Sequence, residues 1–368
     1  MNIICNKALL CDAVAGVSKA VTQRSSMPVL EGIHFKADGF QVTLTGYDLE
    51  MAITTSFEAN VRTPGEVVLS AKLFGDMARR LVSEEIEITC DEKNNTTIKG
   101  GITEFNIVGM DATEFPDLPN PGAEKTMDME AGVLRRMIDS TIYAVSTDDK
   151  KPAHTGELFS ILPDQLTVVA LDGYRLAITE KKIEASKEIQ IIIPQKTLAE
   201  VTKLIGEDDE IVHIAANRRY VIFSTRQYTI LSRLIEGEFL DYQRVVTQGY
   251  KTRVIVDTRD FMNVIERASL IITERLKNPL RVSFEGDTIT VRCQTSLGKV
   301  VDELPAKMEG DSVEIGFNYR YLLDALRFSG CDKLVLEISG PLSPVKIRPV
   351  DGDEFLYLLL PVRFKNEG

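Results

Sequence analysis

The chain has 368 residues, 44% of them hydrophobic and 27% charged, and a formal net charge of −12 at pH 7. That length has room for two or three domains, and the composition is that of an ordinary soluble globular protein. Taken alone, the acidity argues against a general nucleic-acid binder.

The five cysteines are odd in number and never form a Cys-x-x-Cys pair. They read as reduced thiols packed as small hydrophobes, with neither a disulfide framework nor a zinc site. No signal-peptide pattern opens the chain, since Asp12 interrupts a weakly apolar helix. No apolar run approaches the roughly 20 residues of a membrane span, so a cytoplasmic location is expected.

Leu10, Val14 and Val17 recur at helical spacing and predict a helix over 7–20. A polar loop at 22–26 follows, and Pro28 bars further helix. Strands are predicted over 29–35, 41–46 and 50–57. An apolar strand at 67–69 then runs straight into a helix over 71–82. A hairpin pairs 85–90 with 96–100, and 105–108 alternates as one more strand. Prolines 116, 119 and 121 end the first unit.

The second unit repeats this order. Its helix is predicted over 133–143 and its polar loop over 146–151, and Pro152 stands 124 residues after Pro28. Strands at 158–162, 165–171 and 176–182 precede a second strand-into-helix at 191–206. Strands at 210–215, 220–224 and 229–235 and a linker at 236–242 close the unit. The third opens on a helix at 260–272, followed by strands at 281–284 and 288–294 and the strand-into-helix at 313–329. Strands at 334–338 and 345–350 and an apolar C-terminal stretch complete it.

The basic residue in the first turn of the recurring helix is Lys72, Lys196 and Arg320, a step of 124 residues each time. A period that long marks repeated domains, not a solenoid. The predicted architecture is α+β, in units 1–124, 125–250 and 251–368, each with two helices against about seven or eight short strands. Five of the six helical stretches carry a net positive charge and the sixth cancels. Such helices would present a positive surface to a polyanion while the rest of the chain repels it; the plainer alternative is ordinary mixed charge on exposed helix faces.

Catalytic constellations are scarce. His34 and His213 lie inside strand patterns, and no HExxH, GxSxG, Walker A or GxGxxG motif is present. Ser25 and Ser26 have no histidine nearby in sequence, and the acidic pairs Asp148-Asp149 and Asp208-Asp209 read as solvated turns. No cofactor or metal is expected. The stretch from Leu358 to Phe364 stays apolar almost to the chain end, as strand core, a docking groove, or both. Pro361 breaks the strand there, which leaves Val362 and Phe364 freer to line a pocket.

Several segments together resemble the bacterial sliding clamp family, the beta subunits of DNA polymerase III. They are Arg24-Ser25-Ser26-Met27-Pro28-Val29-Leu30, Leu44-Thr45-Gly46-Tyr47-Asp48-Leu49-Glu50-Met51, Phe115-Pro116-Asp117-Leu118, Asp172-Gly173-Tyr174-Arg175-Leu176-Ala177, Asp241-Tyr242-Gln243-Arg244-Val245 and Leu360-Pro361-Val362-Arg363. The resemblance covers the whole chain.

It implies a non-catalytic processivity factor: three DNA-clamp domains per chain, and a head-to-tail homodimer closed into a ring around double-stranded DNA without sequence preference. By family position Arg24, Lys72, Lys150, Lys151 and Lys196 approach DNA; Gln195 stands where arginine is frequent. The implied peptide groove comprises Leu171, Gly173, Tyr174, Arg175, Leu176, Leu240, Arg244, Val245, Leu358, Leu360, Pro361, Val362 and Arg363. It takes short apolar peptides from the replicative polymerase, the clamp loader and repair proteins. His154 and Leu240 depart from the family's usual leucine and proline, and the tail runs on to Gly368. The implied ring interface sets Phe105 and Ile107 against Ile271 and Ile272. Two rivals remain open on the residues alone: a peptide-binding scaffold that never encircles DNA, and a hydrolase.

Overall fold

The computed structural model describes residues 1–120, 122–246, 249–273 and 278–364. Pro121 of the first linker and tail residues 365–368 lie outside them. In chain order the elements begin β1 (Asn2–Asn6), α1 (Lys7–Val17), β2 (Gly32–Asp38), β3 (Gln41–Tyr47), β4 (Met51–Glu58), β5 (Asn60–Thr63), β6 (Gly65–Ser70), α2 (Ala71–Arg80), β7 (Glu85–Cys90), β8 (Asn95–Gly100) and β9 (Thr103–Val108). There follow β10 (Glu124–Glu130), α3 (Ala131–Asp139), β11 (Gly156–Ile161), β12 (Gln165–Leu171), β13 (Arg175–Lys182), β14 (Ile189–Pro194), α4 (Gln195–Leu204), β15 (Ile211–Ala216), β16 (Tyr220–Ser224) and β17 (Tyr228–Arg233). The last are β18 (Thr252–Asp257), α5 (Thr258–Ser269), β19 (Leu280–Glu285), β20 (Thr288–Thr295), β21 (Gly298–Pro305), β22 (Lys307–Gly310), β23 (Val313–Phe317), α6 (Tyr319–Phe328), β24 (Lys333–Ile338), β25 (Val345–Pro349) and β26 (Phe355–Leu359).

Two compact units result. Met1–Val133 joins Lys196–Leu234 in one, and Leu134–Gln195 joins Ile235–Gly368 in the other. The first holds an eight-stranded sheet, β10-β15-β16-β17-β4-β3-β2-β6, and a five-stranded sheet, β5-β1-β7-β8-β9. Strand β17 pairs antiparallel with β4, setting Ile230 opposite Ile53, so this sheet crosses from one sequence repeat to the next. Helix α1 starts where the Asn6 side chain accepts from the amides of Ala8 and Leu9, and it buries Leu10, Ala13, Val14 and Val17. At Gly46 a Cβ would stand 2.1 Å from the Val17 carbonyl oxygen, so only glycine lets the strand pass the helix end.

The second unit holds a nine-stranded sheet, β14-β11-β12-β13-β26-β25-β24-β18-β22, and a four-stranded one, β21-β20-β19-β23. Its core gathers Phe261, Phe284, Phe317, Leu322, Leu326 and Tyr357, all buried. Here too a strand pair crosses the repeats: β13 runs antiparallel to β26, with Ile178 opposite Leu356.

Several expected elements shift, three of them for a clear local reason. The strand predicted from Val29 begins only at Gly32, because Pro28 starts a 3-10 turn through Glu31. The helix predicted over 133–143 is α3, ending at Asp139, where the Ser140 hydroxyl donates to the Met137 carbonyl at 2.9 Å. The helix predicted over 260–272 is α5, which starts earlier because the Asp257 side chain caps it and ends at Ser269. Strands β1, β5, β10, β18, β21 and β22 were not foreseen.

Candidate functional site

In the first unit Arg24 is exposed in the bend that follows α1, and Lys72 is exposed in the first turn of α2. Lys72 lines a cleft of about 570 Å³ together with Thr22, Gln23, Ser70 and Arg79. Arg79 is paired with Asp76 at 2.5 Å. Lys196 is exposed on α4, but its ammonium is ion-paired to Asp48. The Asp48 side chain is only 8% exposed, and its other oxygen accepts from the amides of Glu50 (3.0 Å) and Met51 (2.7 Å). Glu200 holds Lys203 at 2.8 Å and Lys19 at 3.4 Å. Counting charge along helices therefore overstates the free positive charge here, because two acids that the count ignored or averaged sit beside the lysines.

In the second unit Lys150 and Lys151 are exposed in a turn shaped by Asp148, which accepts from the Lys150 amide at 3.1 Å. Arg320, in the first turn of α6, is exposed and donates from Nε to the Tyr319 hydroxyl at 3.0 Å. Arg327, two turns on, meets Glu266 at 3.3 Å. The three positions repeated in sequence are thus all exposed at helix starts.

The predicted groove residues divide into floor and rim. Leu171, Leu176 and Leu358 are buried in one apolar cluster with Leu158, Val169, Ile178 and Ile192. Leu176 lies directly opposite both Leu171 and Leu358 in neighbouring strands. Around this floor Tyr174 (61%), Leu240 (47%), Leu360 (39%), Val245 and Val362 (both 37%) stay exposed. Gly173 has φ +89°, which the tight turn before β13 requires. Pro361 is half-buried and Arg363 exposed. Arg244 is exposed and pairs with Asp241 at 2.8 Å. His154 packs edge-on to Phe239, centroids 5.6 Å apart. Its burial, with Lys151 nearby, holds its pKa below the ordinary histidine value, so the ring sits there as a neutral, largely apolar surface.

Two side chains in this region are held by charged partners. Arg175 is not a free rim cation: its side chain is 13% exposed and bridges Asp172 (2.9 Å) and Asp324 (2.6 Å). The Phe364 ring is held by a cation, lying 4.2 Å from the Arg281 guanidinium carbon. The Val362 amide donates to the Gly316 carbonyl at 2.8 Å, stitching the last residues to β23. Leu360 is likewise fixed, its amide donating 2.9 Å to the Tyr174 carbonyl. The Val362 side chain still faces a cleft of about 540 Å³ shared with Tyr319, Arg320 and Tyr321.

Phe105 and Ile107 are half-buried on β9, which alternates with exposed Glu104, Asn106 and Val108. Strand β9 is the edge of its sheet and pairs only with β8 among the described residues. Ile271 and Ile272 are half-buried just after α5, packed against the second unit's core. In that unit β21 is likewise a sheet edge, with Val301 exposed along it and Leu297 exposed in the turn before it.

Nucleophilic or metal chemistry finds no assembly. Ser25 Oγ accepts from the Met27 amide in a local turn, and His34 and His213 pair with Glu66 and Asp128 on strand surfaces. No His, Cys, Asp or Glu cluster suited to a metal exists among the described residues.

Three family models match the chain consecutively: the DNA polymerase III beta subunit N-terminal domain at 1–119, its central domain at 128–241 and its C-terminal domain at 243–363. The chain belongs to the DNA polymerase III beta subunit family. It is 32% identical over 357 residues to a beta sliding clamp of Staphylococcus aureus, covering 94% of each chain. The DNA polymerase sliding clamp of Bacillus subtilis superposes with a TM-score of 0.96 at 30% identity, over 99% of this chain and 100% of that one. A Pseudomonas aeruginosa sliding clamp solved with griselimycin gives 0.94 at 26% identity, over 99% and 100%. As a member of this beta subunit family the chain is a sliding-clamp subunit of the replication machinery, not an enzyme. No helix among the described residues is long and apolar enough to cross a membrane.

Proposed function

We propose that two copies of the chain, each three clamp domains (1–124, 125–250 and 251–368), close head to tail into a ring around duplex DNA. The observation that supports closure is that β9 and β21 are both sheet edges among the described residues: β9 of one copy adds to β21 of the other, with Phe105 and Ile107 meeting Ile271 and Ile272. Joining the edges also removes the aggregation liability of open strands. Arg24, Lys72, Lys150, Lys151 and Lys196 approach phosphates weakly and without sequence preference, which suits sliding.

Leu171, Gly173, Tyr174, Arg175, Leu176, Leu240, Arg244, Val245, Leu358, Leu360, Pro361, Val362 and Arg363 form the groove that tethers polymerase, clamp loader and repair proteins in the cytoplasm. What supports this is an exposed apolar rim over a buried apolar floor, the arrangement that seats an apolar peptide anchor. The test is topological. A ring loaded on closed circular DNA stays bound and runs off once the circle is cut; equal retention on both forms overturns encirclement. For the groove, charged residues at Pro361 and Val362 abolish binding of a polymerase-derived peptide while the dimer persists; unchanged affinity misplaces it.

A further inference from the structure

Arg175 sits in the middle of a ladder of rings laid along α6. Phe328 stacks on Tyr143 with centroids 5.1 Å apart and planes 6° from parallel. The Arg175 guanidinium carbon lies 5.3 Å from the Tyr143 ring on one side and 4.4 Å from the Tyr321 ring on the other. Tyr321 in turn stacks on Tyr174 of the groove rim at 6.1 Å. Two carboxylates grip the same guanidinium. Asp172 belongs to the turn before β13 and also accepts from the Tyr174 amide at 2.9 Å. Asp324 comes from α6, 149 residues away in sequence, and accepts from Nη1 at 2.6 Å.

Asp172 belongs to the same short turn as Arg175, so it fixes that turn's shape without saying where the turn stands. Asp324 is rooted in α6, whose neighbours Leu322, Leu323, Ala325 and Leu326 are buried in the core. It is therefore the charged tie between a rigid element and the loop carrying Tyr174. A charge-assisted bond in a half-buried place is roughly twice as strong as a neutral one and restricts geometry as well. The loop's placement matters to the opposite wall too, since the Tyr174 carbonyl carries the Leu360 amide.

We propose that Asp324 is a positioning residue for the peptide groove: through Arg175 it fixes the Tyr174 rim and, with it, Leu360. The proposal rests on the groove reading above. Asp324 touches no peptide itself; it acts by keeping the rim in the shape that receives one, so the ordering cost is met before binding.

The test uses the full-length dimer and a fluorescein-labelled peptide from the C-terminal end of the same organism's replicative polymerase, read by anisotropy. Asp324→Asn weakens binding about tenfold, as loss of one charge-assisted bond in the half-buried network predicts. Asp324→Glu, which keeps the charge, recovers most of the affinity. Arg175→Lys, which cannot fork between two carboxylates, weakens binding similarly, and combining it with Asp324→Asn adds little further. If Asp324→Asn proves too unstable to purify, Arg175→Lys together with the Asp324→Glu comparison decides the matter. Peptide affinity within twofold of wild type in Asp324→Asn, while charged residues at Pro361 and Val362 abolish binding, overturns the inference and leaves the groove standing. Unchanged binding in all variants overturns both.

Discussion

Glu157 is fully buried on β11, and its Oε1 accepts a 3.0 Å hydrogen bond from Thr141 Oγ1. Its Oε2 has no partner among the described residues. Burial pushes this carboxyl's pKa well above the usual glutamate range; Asp139 nearby pushes the same way and the threonine bond opposes. The folded chain therefore keeps the proton that the unfolded chain releases above its ordinary pKa, near 4.5. Stability falls as pH rises from there toward the raised folded value.

Glu157→Gln removes that slope. Urea unfolding at pH 8 should show the variant more stable than wild type by about 1 kcal/mol, with the advantage shrinking as the pH approaches 5. An advantage independent of pH would show that Glu157 is ionised in the folded chain.

Asp48 restrains a lysine of the proposed DNA surface. Asp48→Asn preserves the turn, because an amide oxygen still accepts from Glu50 and Met51, but it releases Lys196. Each added phosphate contact steepens the fall of log affinity with log salt by about 0.9. Titration with duplex DNA across a salt series should show that steepening. Adding Lys196→Ala to the Asp48→Asn chain should abolish it; a slope equal to wild type would mean Lys196 never reaches phosphate.

Gly316 makes room for the C-terminal segment. A Cβ there would stand 2.2 Å from the Val362 carbonyl oxygen and 2.9 Å from the Phe364 ring. Gly316→Ala should therefore lift the segment off β23, at roughly 1–3 kcal/mol as for other overpacked sites. Hydrogen exchange at the Val362 amide, slow in wild type because it donates to Gly316, becomes fast. Retained protection would show that the backbone shifts to accommodate the methyl group.

The proposed ring interface implies that Ile272→Asp and Phe105→Asp each yield monomers in sedimentation. An unpaired charge trapped in a contact costs on the order of 3–5 kcal/mol. Since the changes lie at opposite ends of the chain's elements, failure of both to dissociate the dimer would place the contact elsewhere. Circular dichroism of each variant checks that the subunit itself stays folded.

Much of the organisation was readable along the chain. The step from Lys72 to Lys196 to Arg320 marks three helices that carry those residues in their first turn, and the apolar runs around Leu171 and Leu358 pack into one buried cluster. What stayed hidden is what sequence separation hides. Short edge strands such as β5 and β22 have too few residues to show alternation, and β10 and β18 become strands because they pair with β15 and β24. The ties that refine the sites, Lys196 to Asp48 and Arg175 to Asp324, join residues 148 and 149 positions apart. No local pattern announces such pairs. The contact of the Phe364 ring with Arg281 on β19 was hidden in the same way.

The crossing of β13 by β26 also has a mechanical meaning. Five residue pairs in register, from Arg175 with Leu359 to Thr179 with Phe355, join the central repeat to the last one. Tension along such a ladder is shared by its hydrogen bonds together, so the line where the repeats meet resists being sheared. A tug applied at Leu360 or Tyr174 thus passes straight into a nine-stranded sheet, with no flexible joint to absorb it first.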